Sequence, residues 1–232
     1  MSNTNLEIST RSTYTDKTKS LNYNIKVSLY YLFIKRLIDM VGAAIGLIIT
    51  SPLFLIISIL YLFGKDKGPL FFKQQRYGKN GELFYILKFR SMVNNADQKL
   101  RENQKLYQKY IINNYKLEPD EDPRITKLGA FLRRTSLDEL PQLINVLKGD
   151  MSLVGPRPIV EEELREYKEK RDLFLSVKPG ITGYWQVSGR SNVGYPERVE
   201  LELHYVYNQA FLFDFKILIQ TLIVVFLKKG AY

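Results

Sequence analysis

The feature that most constrains this chain is an uncharged run from Met40 to Gly64 with a proline at its centre. Val41–Phe63 supply 23 continuous residues suited to a helix. At 1.5 Å per residue such a helix reaches about 34 Å, close to the hydrocarbon thickness of a bilayer. Ser51-Pro52 lies at its midpoint, where proline removes a backbone donor and crowds the preceding turn. Each arm, Val41–Ser51 and Pro52–Phe63, is then only about 16–18 Å long. Lys26, Lys35 and Arg36 precede the run, and Lys65, Lys67, Lys73, Arg76 and Lys79 follow it. Because basic flanks stay on the cytoplasmic side, both ends are assigned to one face. The expectation is a re-entrant membrane helix over residues 29–64, broken at Ser51-Pro52, with Ser51 partnering backbone exposed at the break. An ordinary span with an off-centre proline kink is the alternative. The run begins too far from Met1 for a cleavable signal, and no small-residue cleavage site follows it.

Charge is placed to match. Residues 1–92 hold 13 Lys/Arg against 5 Asp/Glu, whereas residues 93–232 hold 21 against 19. A nucleic-acid binder would not confine its basic excess to the part that carries the apolar run, so no nucleic-acid partner is expected. The chain has no cysteine and one histidine, His204. Disulfides, thiolate nucleophiles and cysteine or multi-histidine metal sites are thereby excluded. Chemistry must run on carboxylates, hydroxyls, cations or an oxygen-liganded metal. His204, between Leu203 and Tyr205, reads as a packing or surface residue.

Residues 1–28 are rich in Ser, Thr, Asn and Lys and read as a flexible arm. Pro69–Gln74 and Glu82–Leu87 read as strands joined by a type I′ turn at Asn80-Gly81. Asn95–Tyr115 reads as a polar helix, and Glu161–Asp172 as a charged one with a solvated face. Leu137–Lys148 has an apolar face (Leu137, Leu140, Leu143, Ile144, Leu147), a capping box at Ser136–Glu139 and Gly149 as its stop. Pro141 sits awkwardly in its first turns and favours a later start or a bend. Gly180–Gly194 reads as a structured, aromatic loop. Ile217–Leu227 is apolar but too short to span; with Lys228-Lys229 after it, a helix in the membrane interface and a buried core helix are both open readings.

Asp138-Glu139 heads the candidates for chemistry. Two adjacent carboxylates with Arg133 and Arg134 upstream can hold a divalent ion and keep an aspartate ionised as nucleophile. Acidic residues that merely answer a helix dipole are the competing reading. Gly155-Pro156-Arg157-Pro158 stiffens one guanidinium for phosphate recognition, or is a loop corner. Lys88, Arg90 and Arg124 are further phosphate donors. Asp120-Glu121-Asp122 spells the Asp-x-Asp pattern of metal-dependent glycosyltransferases, although no strand–helix alternation precedes it and a surface turn explains it.

In order, the blocks are Lys35-Arg36-Leu37-Ile38-Asp39, the Ser51-Pro52 helix, Lys88-Phe89-Arg90, Asp122-Pro123-Arg124 and Leu132 to Gln142. Asn145 to Ser152, Gly155-Pro156-Arg157-Pro158, Pro179 to Gly183, Trp185 to Arg190 and Lys229 to Tyr232 follow. Over residues 29–232 this resembles the bacterial sugar transferase family, the monotopic polyprenyl-phosphate phosphoglycosyl transferases. The resemblance implies that Asp138 attacks the β-phosphorus of a UDP-sugar, expels UMP and carries the sugar phosphate until undecaprenyl phosphate takes it. It also implies magnesium held by Asp138, with Glu139 as ligand or acid/base partner. Arg133 and Arg157 would bind phosphate oxygens, helped by Lys88, Arg90 and Arg124, with Trp185 and Arg190 in the substrate site. Trp185–Arg190 looks more like the hexose-1-phosphate branch, hence UDP-galactose or UDP-glucose. Larger members of that branch carry four extra N-terminal spans, so this chain looks like the minimal catalytic form.

The expected fold is α+β. A mainly helical catalytic domain with a small β-hairpin over 65–210 follows the re-entrant helix, and an interfacial C-terminal helix and tail occupy 211–232. The expected setting is the cytoplasmic face of the bacterial inner membrane, at the first membrane step of exopolysaccharide, capsule or O-antigen synthesis. Partners would be the bilayer, downstream glycosyltransferases and a second copy of the chain. The rivals are a direct, UDP-releasing glycosyltransferase using Asp120 and Asp122, and a non-enzymatic protein that gathers anionic lipid.

Overall fold

In the computed structural model the described residues are 27–64, 66–113, 117, 121–189 and 193–226. Most of the N-terminal arm, the tail 227–232, Asp120 and Arg190 lie outside them. The first element, α1 (Leu29–Phe63), is a single helix with Pro52 inside it. Pro52 offers no N–H to the Ile48 carbonyl one turn back, and Ser51 Oγ donates to that carbonyl at 2.8 Å. Ser51 thus answers the carbonyl that proline leaves, but the helix runs through Ser51-Pro52 without the expected break, since that hydrogen bond lets the turn continue. The helix is long and apolar enough to cross a membrane, and only 11% of its most apolar window is buried inside the protein. That sparse cover distinguishes it from a core helix.

The residues of α1 that are buried, Tyr31, Asp39, Ala43, Ile57 and Tyr61, run along its whole length. Near its start Arg36 donates to the carbonyls of Val146 (2.6 Å) and Leu147 (2.9 Å). Asp39 accepts from Ser152 Oγ (3.0 Å) and the Leu153 amide (2.9 Å). Near its end Ile57 and Tyr61 pack with Phe89 and Leu132, and the Tyr61 hydroxyl donates to the Arg90 carbonyl.

β1 (Phe71–Tyr77) and β2 (Leu83–Phe89) form the expected antiparallel hairpin, with Phe71 opposite Phe89 and Tyr77 opposite Leu83. Asn80 and Gly81 adopt φ values of 58° and 79°, the two positive angles that a type I′ turn requires. Both strands run past their expected ends. Asn145 holds β2 from the side: its Oδ1 accepts the Leu87 amide at 2.9 Å and its Nδ2 donates to the Tyr85 carbonyl at 2.8 Å. One side-chain amide therefore stands in for a missing strand neighbour.

The polar stretch expected as one helix is two, α2 (Ala96–Glu102) and α3 (Gln104–Ile112). Asn103 Oδ1 accepts the Leu106 amide at 3.1 Å; an asparagine at this place caps a new helix rather than extending the old one. α4 (Lys127–Arg134) is capped by Thr126, whose Oγ1 accepts the Gly129 amide at 3.0 Å. The expected Leu137–Lys148 helix is shortened: a 3-10 turn at Leu137–Glu139 precedes α5 (Gln142–Lys148). The capping box does not form. Ser136 sits at φ 56° without a side-chain cap bond, Pro141 has no amide to join the ladder, and the Glu139 carboxylate is bonded to Lys88 instead. Gly149, at φ 96°, ends α5 as expected.

A parallel pair, β3 (Ser152–Val154) and β4 (Gly180–Thr182), was not anticipated. Its strands cross so closely that a Cβ on Gly180 would lie 2.1 Å from the Gly155 nitrogen. Close backbone approach is why both motifs carry glycine there. The charged helix expected over 161–172 is α6 (Glu161–Leu164) and α7 (Arg171–Phe174), separated by a 3-10 segment in which Lys168 leaves helical geometry at φ 45°. α8 (Tyr184–Ser188), α9 (Glu197–Tyr207) and α10 (Phe211–Phe226) complete the fold. A core of Ile159, Leu164, Tyr167, Leu173, Leu203 and Val206 fills the space beneath α6, α7 and α9.

Asp214 joins three helices. It accepts from the Tyr31 hydroxyl and Lys35 Nζ of α1 and from the Tyr205 hydroxyl of α9, each at 2.8 Å. Ile217 of α10 is fully buried, whereas Leu212, Phe215, Ile219, Leu222 and Ile223 are exposed. Their spacing of three and four residues makes a continuous apolar stripe on the outer side of α10.

Asn145→Ala strands the Leu87 amide and the Tyr85 carbonyl, so it is expected to destabilise the fold by about 2–3 kcal/mol. A lowered thermal midpoint of the detergent-solubilised protein measures this.

Candidate active site

Asp138 and Glu139 occupy the turn between α4 and α5, and β2 brings Lys88 to them. Lys88 Nζ donates to Glu139 Oε1 at 2.6 Å. Asp138 is buried, 7% exposed, and forms no salt bridge with any described residue. Burial pushes the Asp138 carboxyl up to about 6; Glu139 adds to the push, while Lys88 and Arg133 oppose it. Burial would raise Glu139 too, but Lys88 and Arg157 beside it and a hydrogen bond from Gln142 hold it below the ordinary carboxylate range. Two sequence neighbours thus differ in kind. Glu139 is an ion-paired anion, and Asp138 is a desolvated carboxylate with unspent capacity.

A cleft opens beside them, lined by Arg76, Lys88, Glu139, Gln142, Arg157 and Gln186. Burial and the neighbouring Arg157 push the Arg76 guanidinium down to about 10, so two cations are held close together. Arg157 is oriented through its backbone: its amide donates to both oxygens of Glu202, at 3.3 and 3.2 Å. Its guanidinium has no hydrogen-bond partner among the described residues. Arg76 is itself engaged, its Nη2 donating to Gln74 Oε1 at 2.6 Å and its Nη1 to the Pro158 carbonyl and Glu163, each at 3.3 Å. The unbonded Arg157 guanidinium beside this second cation, opening onto a cleft, suits an anionic oxygen-rich ligand such as a diphosphate.

The other sequence candidates divide. Arg133 lies close to Asp138, and its Nε donates to Ser91 Oγ at 2.8 Å. Arg90, expected as a phosphate donor, turns instead to the backbone. It donates to the carbonyls of Pro69 (2.9 Å), Met92 (3.4 Å) and Asp66, and to Asn94 Oδ1 (3.4 Å), tying down the segment after α1. Arg124 is likewise spent, since its Nε and Nη2 each donate to Asp122 at 2.7 Å. The same pair uses both Asp122 oxygens, which leaves the Asp-x-Asp pattern without its second free carboxylate. Trp185 is buried, 4% exposed; its indole N–H donates to the Val193 carbonyl at 3.2 Å, and Arg198 lies 4.1 Å from its ring centroid. Arg190 lies outside the described residues. Ser51 and Pro52 are on α1, apart from the cleft.

Arg76, Gln142 and Gln186 had no assigned role in the sequence reading. Arg76 counted only as a basic flank, because its place in the cleft depends on the hairpin register, where it pairs with Phe84. Gln142 closes a quoted block, but its partner Glu139 is visible only once the 3-10 turn is known.

The donor set fits magnesium. Asp138 and Glu139 offer hard carboxylate oxygens, and no group of three or more Asp, Glu or His side chains converges among the described residues. Magnesium characteristically takes one or two carboxylates and draws its remaining oxygens from substrate phosphate and water.

Above about pH 4 the buried Asp122–Arg124 pair is intact, because Arg124 holds Asp122 below its ordinary value despite burial. Asp122→Asn leaves Arg124 without its counter-charge and should cost about 3 kcal/mol of stability. As pH falls through the depressed Asp122 value the native carboxylate protonates, so the gap between native protein and variant should narrow. Unfolding curves at pH 7 and pH 3 read both effects.

Comparison with known proteins supplies the family. The profile of the bacterial sugar transferases matches residues 30–228. The undecaprenyl-phosphate galactose phosphotransferase of Salmonella typhimurium is 49% identical over 203 residues, 86% of this chain and 42% of that protein. Exopolysaccharide production protein ExoY of Sinorhizobium fredii is 44% identical over 202 residues, 85% of this chain and 88% of that protein. The UDP-glucose:undecaprenyl-phosphate glucose-1-phosphate transferase of Escherichia coli is 39% identical over 218 residues, covering 90% of this chain and 44% of that protein. The chain thus spans less than half the length of the Salmonella and Escherichia relatives and most of ExoY. With the carboxylate pair and the cationic cleft within the matched range, the chain belongs to the bacterial sugar transferase family.

Proposed function

We propose that this protein transfers a sugar 1-phosphate from a UDP-sugar, UDP-galactose or UDP-glucose, to undecaprenyl phosphate and releases UMP. The observation that carries this reading is Asp138: a buried carboxylate without a salt bridge to any described residue, beside a cleft whose cations Arg76, Lys88 and Arg157 match a diphosphate. Two of the relatives are named as undecaprenyl-phosphate hexose phosphotransferases, and ExoY is named for exopolysaccharide production. In this reading the product starts a surface polysaccharide, capsule or O-antigen chain on its lipid carrier, for downstream glycosyltransferases to extend.

The residues divide the work as follows. Arg76 and Arg157 hold the diphosphate so that the β-phosphorus faces Asp138. An Asp138 oxygen forms a bond to that phosphorus, and the bond to the bridging oxygen breaks, with UMP leaving as an anion. An oxygen of undecaprenyl phosphate then attacks the same phosphorus and breaks the bond to Asp138, which returns to carboxylate. Lys88, by pairing with Glu139, limits the like-charge repulsion that would otherwise keep Asp138 protonated. Asp138, with Glu139 nearby, would hold magnesium, which would neutralise the diphosphate charge. Positioning and charge stabilisation dominate phosphoryl transfer, and this site offers both.

The same reading places α1 in the cytoplasmic leaflet of the inner membrane, entering and leaving by one face, with the outer stripe of α10 lying in the interface. What supports it is that α1 packs against the catalytic body near both ends, at Arg36 and Asp39 and again at Ile57 and Tyr61. A straight span carries residues 36 and 61 about 38 Å apart along its axis, which would move one of these attachments across the bilayer.

Purified protein with magnesium, undecaprenyl phosphate and a panel of UDP-sugars is expected to release UMP; release of UDP would assign a direct glycosyltransferase. Asp138→Asn should reduce turnover by at least about 10³-fold while the protein still folds. Cysteines introduced singly at Asn5 and Glu82, in a chain that has none of its own, should react with an impermeant maleimide from the same side. Opposite-side labelling would establish a span.

A further inference from the structure

α9 places Arg198 and Glu202 one turn apart and buries both, at 3% and 0% exposure. Arg198 Nη1 donates to Glu163 Oε1 at 3.1 Å, and its Nε lies 3.7 Å from Glu202 Oε1. The other oxygen of Glu163 accepts from Arg76 Nη1 at 3.3 Å, and the Glu202 oxygens accept the Arg157 amide. Glu163 thus holds the Arg76 guanidinium, Glu202 holds the Arg157 backbone, and Arg198 reaches both carboxylates. The Arg198 guanidinium is roofed by Trp185, 4.1 Å to its ring centroid, and by Tyr195, 5.0 Å to its own.

Charge balance gives this layout a purpose. Two glutamates against two cleft arginines would make two closed pairs, with no net charge left for a ligand. Arg198 adds a third cation, so the five groups carry a formal net charge of +1. Its hydrogen bonding is sparse for a buried guanidinium: among the described residues Nε and Nη2 have no hydrogen-bond partner. As packing alone this would be a poor use of the position, since an apolar side chain fills such a space without burying a charge. Burial pushes the Glu202 carboxyl up to about 7, and Arg198 is the foremost group opposing that rise.

We infer that Arg198 is a positioning residue that offsets the charges of Glu163 and Glu202, so that the Arg76–Arg157 pair keeps a net positive charge toward the donor's diphosphate; this rests on the cleft role proposed above. Arg198 does not line the cleft and acts only through the two glutamates. Trp185, in turn, serves the site by covering Arg198 and keeping its charge out of water.

The test is steady-state kinetics at pH 8, where Glu202 is largely ionised, on the full chain, Arg198→Met, Glu202→Gln and the double variant. Arg198→Met should raise KM for the UDP-sugar about tenfold, change kcat by less than about threefold and leave KM for undecaprenyl phosphate in place. Glu202→Gln keeps an acceptor for the Arg157 amide while removing a charge, so it should lower KM for the UDP-sugar. The double variant restores the net charge and should return KM to within about threefold of the native value. An unchanged KM in Arg198→Met, or a double variant no better than the single, overturns the inference. A purely structural role would reduce the active fraction, and so kcat, without moving KM. If Arg198→Met does not fold, Glu202→Gln decides alone: an unchanged or raised KM for the UDP-sugar rejects the inference. Failure of the native protein to release UMP would instead remove the donor reading. In that case calorimetric titration with inorganic pyrophosphate still reads the cationic cleft, with the same order of affinities expected and equal affinities overturning the inference.

Discussion

A largely uncovered apolar helix has to be held to its protein by a few strong contacts, and here those contacts are polar. Arg36 caps the carbonyl end of α5, Asp39 fixes the start of β3, and Tyr31 and Lys35 reach Asp214 on α10. Four residues within nine positions of α1 thus orient a helix, a strand and the C-terminal element. These groups sit where burial strengthens charge-assisted hydrogen bonds and makes an unpaired partner costly. The far end of α1 is held differently, by Ile57 and Tyr61 in an apolar cluster and by one hydroxyl on the Arg90 carbonyl. Between the two attachments Ala43 belongs to the core beneath α5, so the helix and the body share one register.

That register sets the active site. β2 carries Lys88 to Glu139 because Asn145 of α5 holds the strand's backbone, and α5 is itself held by Arg36. The result is a pair of adjacent carboxylates with different electrostatic surroundings: one neutralised by a lysine, the other buried and short of positive partners. The cationic side is built from separate parts of the chain, Arg76 on β1 and Arg157 in the turn after β3. Glu163 of α6 bonds the Arg76 guanidinium and Glu202 of α9 bonds the Arg157 amide. The carboxylate pair thus comes from one helix–helix turn, and the two cleft arginines come from β1 and the turn after β3.

Features that depend on a few consecutive residues were legible in the sequence. Ser51 answers the carbonyl left by Pro52, Asn80-Gly81 makes a turn with two positive φ angles, Gly149 ends α5, and the long apolar run is a helix. Each rests on local sterics or a one-turn hydrogen bond. The carboxylate pair was legible as a candidate for the same reason, because its spacing is local. Signals that two local rules contest were misread. Ser136-x-x-Glu139 has the pattern of a capping box, but Pro141 and Lys88 claim the groups it needs. Asn103 lies within a polar helical pattern, yet caps a new helix.

By itself, then, the sequence determined the long apolar helix, the hairpin, the family and Asp138-Glu139 as the candidate carboxylate pair, since these follow from composition, neighbouring residues and ordered motifs. Only the tertiary structure decided which cations line the cleft. Arg90, Arg124 and Arg157 look alike along the chain, but the first is consumed by backbone carbonyls and the second by Asp122. Arg157 alone of the three opens onto the cleft, joined there by Arg76. A guanidinium's availability depends on which acceptors lie within about 3 Å of it, and those acceptors come from segments up to 87 residues away in the chain, as Glu163 does for Arg76.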